Sequence, residues 1–243
     1  MDTHKYETLF AIEENHWWFV GQRVLLRFFL NKYYRNRSDL KLLDVGCGTG
    51  KNVSVLSEYG AAQGSDIAND AVVYCKKRGL NITQSDVMDL KFQDRSFDVI
   101  TSLGVFYHKG ITDDVKAMKE VHRILKQGGR FFIFDCAMMS LYGKHDLAFQ
   151  GIRRYSKKEL KRKLEKAGFI VERISYVNSI LFPPIFLYRK LSNLISSTHV
   201  SDVDAPMSPL INWLLKNVYR TELRLNKYFD YPFGVNIYAI ARK

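Results

Sequence analysis

Between residues 40 and 136 the chain alternates strand and helix signals, and this alternation is its strongest constraint. LKLLDV (40–45) reads as a buried strand, AAQGSDI (61–67) as a second and NITQSD (81–86) as a third. SFDVITSL (96–103) gives a fourth and RFFIFDC (130–136) a fifth. Helical patterns at 69–80 and 112–129 lie between them, with Gly79 closing the first. Thr112 and Asp113 are placed to cap the second, and Gly128 with Gly129 to stop it. Strands alternating with helices at this pitch predict a parallel sheet covered on both faces. A helix at 156–167, FIVERISYV (169–177) and the terminal GVNIYAIARK (234–243) extend the pattern.

The first connection, LLDVGCGTG (42–50), is glycine-rich, but Gly46, Gly48 and Gly50 give G-x-G-x-G rather than the dinucleotide G-x-G-x-x-G. Glycines there let backbone approach a ligand, and in open parallel sheets ligands lie beyond the strands' carboxyl ends. Asp44, two residues before the first glycine, suits a cationic ligand better than a pyrophosphate. Asp66, twenty residues past Gly46, is placed to accept from ribose hydroxyls, and Asp86, twenty further on, from an exocyclic amine. Taken alone, either acid could equally be a helix cap or turn former.

Together these residues resemble a class I S-adenosylmethionine-dependent methyltransferase. The resemblance rests on LLDVGCGTG, GSDIA (64–68), SDVMDLKF (85–92) with SFDVI, and RILKQGGRFFI (123–133). It implies a Rossmann-like, seven-stranded, mostly parallel α/β sheet with an antiparallel last strand, and S-adenosyl-L-methionine as cofactor. The cofactor site it implies comprises Asp44, Gly46, Cys47, Gly48 and Gly50 for the methionine part and Asp66 with Ile67 for the ribose. Asp86 with Val87 would hold the adenine edge, and Leu103 completes the set.

Residues 1–38 read as an N-terminal helical lid, 39–177 with 231–243 as the core, and 178–230 as a helical cap insertion. EENHWWFVGQR (13–23) resembles the HWWF-x-x-x-R lead-in of a methyltransferase subgroup linked to glycan, lipid or natural-product synthesis. Trp17, Trp18 and Arg23 become candidate acceptor contacts, although the same helix could simply pack on the sheet. LYGKHDLAFQGIRRYS (141–156) resembles the subgroup's D-(x4)-H-x-R-R-Y element, with Gly151 where its histidine is expected. Arg153, Arg154 and Tyr155 are candidate substrate contacts. His108 is the candidate base by position, with His145 and its neighbour Asp146 as the second. No metal site is expected.

The 243 residues carry a net charge of +12, which alone could mean nucleic acid, an anionic surface or an acidic substrate. The densest basic run, SKKELKRKLEKAGF (156–169), has acids at helical spacing and reads as a solvated helix face. After the fourth strand stands SLGVFY, not the Asn/Asp-Pro-Pro-aromatic loop of nucleobase amino-methylation, so nucleic acid is not the expected acceptor. The expected activity is methyl transfer, at oxygen, to a small-molecule or lipid- or sugar-linked acceptor. RNA or protein methylation and a non-catalytic module are the alternatives. Three scattered cysteines, and no run of 18 apolar residues, point to a cytoplasmic protein. ILFPPIFLYRK (180–190) mixes apolar, aromatic and basic residues and raises peripheral membrane contact against a cap helix packed on the site.

Overall fold

The computed structural model describes residues 3–195 and 207–243. Two helices, α1 (Thr3–Ile12) and α2 (Trp17–Tyr34), precede the sheet. The core then runs β1 (Leu40–Val45), α3 (Lys51–Leu56), β2 (Gly60–Asp66), α4 (Asn69–Lys77), β3 (Ile82–Gln84), β4 (Phe97–Leu103), α5 (Asp114–Ile124) and β5 (Leu125–Cys136). After it come α6 (Lys144–Ala148), α7 (Lys157–Lys166), β6 (Ile170–Val177), α8 (Phe182–Ile195), α9 (Pro209–Leu225) and β7 (Asn236–Arg242).

The strands form one seven-stranded sheet in the order β3-β2-β1-β4-β5-β7-β6. β1 to β5 are mutually parallel, and β7 runs antiparallel between β5 and β6. Strand side chains alternate between faces. Phe131 and Ile133 therefore enter one apolar cluster, with Met118 of α5 and Leu160 of α7. Phe132 and Phe134 enter the other, with Leu26 and Phe29 of α2 and Leu223 of α9. Chain order reverses at β1, which has β2 on one side and β4 on the other, so a crevice opens at the strands' carboxyl ends there.

Three boundaries differ from the sequence reading. The helix expected to run to 129 ends at Ile124. Arg95 and Ser96 donate their backbone N–H groups to the carbonyls of Arg123 and Ile124, and Leu125 already pairs with Phe97. Strand pairing thus claims the helix's last expected turn. β3 stops at Gln84, leaving Asp86 in a turn beyond it. The short helix α6 was not anticipated; it carries His145 and Asp146. In the insertion, the link 196–206 between α8 and α9 lies outside the described residues.

α2 packs on both the sheet and the cap. Phe29 stacks on Phe132 of β5, with ring centroids 5.1 Å apart. Nearer the helix start, Trp17 meets Tyr219 of α9 edge-on at 6.0 Å. At Gly21 any side-chain carbon would fall 1.9 Å from the Tyr219 ring, so glycine sets how closely α2 and α9 approach.

Candidate functional site

The first turn beyond β1 fixes one wall of the site. Gly46 and Gly48 hold φ of 70° and 55°, a left-handed region that glycine enters at little cost. The Gly46 and Cys47 N–H groups donate to the Ser65 carbonyl at 2.7 and 3.0 Å, tying the loop to β2. A side chain at Gly48 would meet nothing within 4 Å, so this backbone faces open space. That space is a cavity of about 580 Å³. Gly46, Cys47, Gly48, Thr49 and Asn52 line it, whereas Gly50 turns away, into contact with Leu80 and Cys75. The hydrogen bond to the Cys75 thiol 3.8 Å away, then burial, holds the Cys47 thiol well above its ordinary range.

Two of the three expected acids reach the cavity. Asp66 Oδ2 accepts from Gly48 N and Oδ1 from Ala68 N, both at 3.0 Å. Burial raises its carboxyl. Asp86 Oδ1 accepts from Met88 N at 2.8 Å, so it is both turn former and cavity residue. Ile67, Val87 and Leu103 also line the cavity. Asp44 does not. It is buried behind the loop, where Thr101 Oγ1 of β4 donates to its Oδ1 at 2.6 Å. Burial pushes its carboxyl up to about 7, with Asp66 adding to the rise.

The N-terminal helices roof the glycine loop. Glu13, buried between α1 and α2, accepts from Thr49 Oγ1 of the loop and from Arg78 Nη2. Arg23 Nη2 donates to the Glu13 and Glu14 carbonyls at 2.7 and 3.0 Å. His16 caps α2 through Nδ1, which accepts from Trp18 N, and burial lowers its pKa to about 4. Trp17, Trp18, Gln22 and Arg23 all line the cavity. Trp17 N donates to Asn212 Oδ1 of α9, and the Trp18 indole to Asn236 Oδ1 of β7. Glu13, Arg78 and Gln22 had no local sequence signal, because their partners are tens of residues away or absent.

The remaining candidates separate into cavity and core. His108 and His145 line the cavity, with Tyr107, Cys136 and Phe149 near them in its wall. His108 Nδ1 accepts from Gly110 N at 3.0 Å, which puts the neutral ring's proton on Nε2; burial lowers its pKa. Burial, then Arg189 and Arg154, drives the His145 pKa well below its ordinary value. Asp146 is not an orienting acid in the cavity. Its Oδ1 accepts from Arg154 Nε at 2.8 Å and its Oδ2 from Gly143 N at 3.0 Å. Arg154, although it borders the cavity, is committed to Asp146 and to the Ala137 carbonyl. Arg153 and Tyr155 lie outside the cavity wall. Arg153 donates to the Ile111 carbonyl, and the Tyr155 hydroxyl bonds Asp114 Oδ2 and the Phe106 carbonyl in the core. The D-(x4)-H-x-R-R-Y element is thus mainly an internal clamp. At Gly151 a side-chain carbon would fall 2.6 Å from the Tyr107 ring, so tyrosine fills the histidine's space.

S-adenosylmethionine fits this donor set. Asp66 and Asp86 keep acceptor capacity for a ribose diol and an exocyclic amine, and Gly48 leaves room for close approach. Four buried polar atoms of cavity-wall residues, His16 Nε2, Gln22 Nε2, Asp135 Oδ2 and Asn178 Oδ1, have no hydrogen-bond partner, as expected where a polar ligand completes the wall. Among the described residues no cluster of three His, Cys, Asp or Glu could hold a metal ion.

Residues 43–133 match a family model described as a methyltransferase domain. A mouse protein named "Probable tRNA methyltransferase 9B" is 36% identical over 96 residues, covering 39% of this chain and 21% of that protein. The ubiquinone/menaquinone biosynthesis C-methyltransferase of Bdellovibrio bacteriovorus is 31% identical over 132 residues, covering 50% and 55%. The chain therefore spans between about a fifth and just over half the length of these curated relatives. Among solved structures, a methyltransferase of Thermotoga maritima superposes with a TM-score of 0.59 at 17% identity, covering 99% of this chain and 95% of that one. A Haemonchus contortus N-methyltransferase in complex with S-adenosylhomocysteine gives 0.60 at 18%, covering 91% and 52%. The family match identifies residues 43–133 as a methyltransferase domain, and the strand order and the solved-structure likenesses give the chain the fold of class I S-adenosylmethionine-dependent methyltransferases.

Proposed function

We propose that the chain transfers a methyl group from S-adenosylmethionine to an oxygen of a small-molecule or lipid- or sugar-linked acceptor. The observation that carries this reading is the cavity itself. It joins the glycine loop and the two acids to a wall of aromatic and aliphatic side chains from the N-terminal helices and the cap. A volume of about 580 Å³ lies within the range of small-molecule and cofactor sites. The cofactor supplies an activated methyl group on a sulfonium. The chain's own task is to hold the acceptor in line with that methyl, about 3 Å away, and to keep water out.

Trp17, Trp18 and Phe19 roof the wall on one side, and Leu181, Ile185 and Tyr188 of the cap close it on the other. A hydroxyl acceptor must lose its proton. His108, whose Nδ1 is already occupied, has its Nε2 for the acceptor oxygen. Burial and the neighbouring cations hold the His145 ring neutral but also weaken it as a base, so it stands second to His108 as the candidate to take the proton. Arg23, whose hydrogen bonds go to two backbone carbonyls, brings positive charge to the wall, which favours an acceptor with an anionic part.

A tRNA acceptor is the second reading, favoured by the relatives named as tRNA methyltransferases and by the net charge of +12. Two measurements separate the readings. Calorimetric titration with S-adenosylhomocysteine should give micromolar binding; tighter binding of NAD would end the methyltransferase assignment. Incubating cell extract with labelled S-adenosylmethionine should then place label in the lipid or glycan fraction. Label in RNA would shift the reading to tRNA, and cofactor binding with no label anywhere would favour a non-catalytic module.

A further inference from the structure

The cap leaves more apolar surface in the open than the cavity requires. On α9, Leu210 is 74% exposed and Trp213 61%, with Leu214 beside them. On α8, Leu187 and Tyr188 are each 60% exposed. At helical spacing, Leu210, Trp213, Leu214 and Tyr228 share one side of α9 and its C-terminal extension. Tyr219, Glu222 and Leu223 on the opposite side enter the core. Exposed apolar residues scattered singly are ordinary, but clusters on two helices that border one opening mark a docking surface. Pro184 and Tyr188 are exposed and at the same time line the cavity, and Leu215 of α9 reaches it from the other helix.

Charge narrows the occupant. Residues 178–230 contain four acids: Asp202 and Asp204 in the link outside the described residues, Asp230, which accepts from Arg173 Nε at 2.9 Å, and Glu222. Glu222 is buried, accepting from the backbone N–H groups of Ser179 and Ile180 at 2.9 and 3.0 Å. Apart from Asp230, which is paired with Arg173, the charged side chains exposed on the described part of the cap, Lys190, Arg220, Arg224 and Lys227, are cationic. A second copy of the chain would set these cations against each other across an isologous contact. Tryptophan and tyrosine among leucines, flanked by lysine and arginine, match the chemistry of an anionic membrane–water interface. No described helix is long and apolar enough to cross a membrane, so the surface would lie on the bilayer.

We propose that the exposed faces of α8 and α9 seat the protein on an anionic lipid bilayer, with the cavity opening beside the lipid surface. The docking stands on this surface alone. Entry of an amphiphilic acceptor from the lipid rests additionally on the methyltransferase reading.

Flotation of the full chain with phosphatidylcholine vesicles, with and without about one quarter phosphatidylglycerol, tests the docking. Binding should appear on the anionic vesicles, weaken with added salt, and be several-fold lower on phosphatidylcholine alone. Trp213→Glu with Leu214→Glu should lower partitioning at least about tenfold, since exposed apolar anchors are replaced by charges that the surface repels. Arg220→Glu and Arg224→Glu should each cost about fivefold or more on anionic vesicles only. All four positions are outside the cavity wall, so S-adenosylhomocysteine affinity should stay at the wild-type value. Flotation intact with cofactor binding absent would fail the methyltransferase reading while the docking stood. Absence of flotation at any salt, or equal flotation by the Trp213→Glu/Leu214→Glu variant, would overturn the docking. So would a concentration-dependent dimer that the same variant dissolves, since the face would then belong to a second copy.

Discussion

The two ends of the cavity are built by different means. The cofactor end comes from the turns after β1, β2 and β3, within residues 45–87, and its contacts are largely between backbone amides and carboxylates. Asp66 ties Gly48 to Ala68, and Asp86 holds its own turn at Met88. The acceptor end is assembled from segments far apart: α1 and α2, the turn after β4, α6, the cap and the start of β7. Its positions depend on buried side-chain pairs, such as Arg154 with Asp146, and on ring contacts, such as Trp17 with Tyr219. The first design is fixed by strand order and should survive changes elsewhere. The second should transmit damage.

The largest expected effect tests that transmission. Arg154→Met would strand the fully buried Asp146 carboxylate, and breaking a buried pair by removing one partner costs about 3–5 kcal/mol. Urea unfolding should show a loss of that size. Asp146→Leu in the same chain should recover much of it, since no uncompensated charge remains. A single variant within about 1 kcal/mol of wild type would mean that α6 is not held by this pair.

Asp66→Ala probes the other end. Removing the ribose acceptor should weaken S-adenosylhomocysteine binding by about 1–3 kcal/mol, roughly fivefold to 150-fold, while thermal stability falls less. Comparable losses of stability and affinity would make Asp66 chiefly a turn residue, and the cofactor end would prove as interdependent as the acceptor end. The contrast also explains what the sequence made legible. Asp66 ends β2 and Asp86 lies in the turn just beyond β3, so counting residues located them. Asp44 was equally well counted, yet its side chain lies behind the loop, because its cross-strand partner on β4 is Thr101, 57 residues away. Tyr155 was read as a substrate contact, but its backbone pairs with Ala137 and its hydroxyl reaches Asp114. No local pattern shows such pairings. The same holds for Glu13, whose partners Thr49 and Arg78 come from the loop and from the end of α4.

Asp44 supplies a pH test that bears on the sheet rather than on the lid. Its carboxyl, raised by burial to about 7, binds a proton more tightly in the folded chain than in the unfolded one. Stability that depends on that proton is full only below the ordinary carboxylate pKa of the unfolded chain, falls as pH rises from there, and is gone once pH has passed the folded pKa. Between about pH 5.5 and pH 8.5 this group alone should lower the unfolding free energy by about 2 kcal/mol. Asp44→Asn should flatten the profile by that amount, read from denaturant melts at the two pH values. An unchanged slope would move the titration to another raised carboxyl, Asp135 being the first to try.

The smallest expected effect concerns Gly151 and Tyr107. A methyl group at residue 151 would press on the Tyr107 ring, with the Asp146 carbonyl 3.3 Å away on its other side. Overpacking of this kind costs about 1–3 kcal/mol in a closed core. Tyr107, however, borders the cavity, so its ring can yield into open space and the cost should fall near the low end, about 1 kcal/mol. The displaced ring would then intrude on the acceptor's side of the cavity. Gly151→Ala should therefore raise the KM for the acceptor several-fold and leave cofactor affinity as it was. Tyr107→Ala is destabilising on its own, but in that background Gly151→Ala should cost little or nothing further, because the new methyl group would enter space that the ring vacates. If Gly151→Ala costs as much in the Tyr107→Ala background as in the wild-type chain, the clash lies at the Asp146 carbonyl of α6 instead. An acceptor KM unchanged in Gly151→Ala would separate Tyr107 from the acceptor, and the aromatic wall would then begin at Phe149.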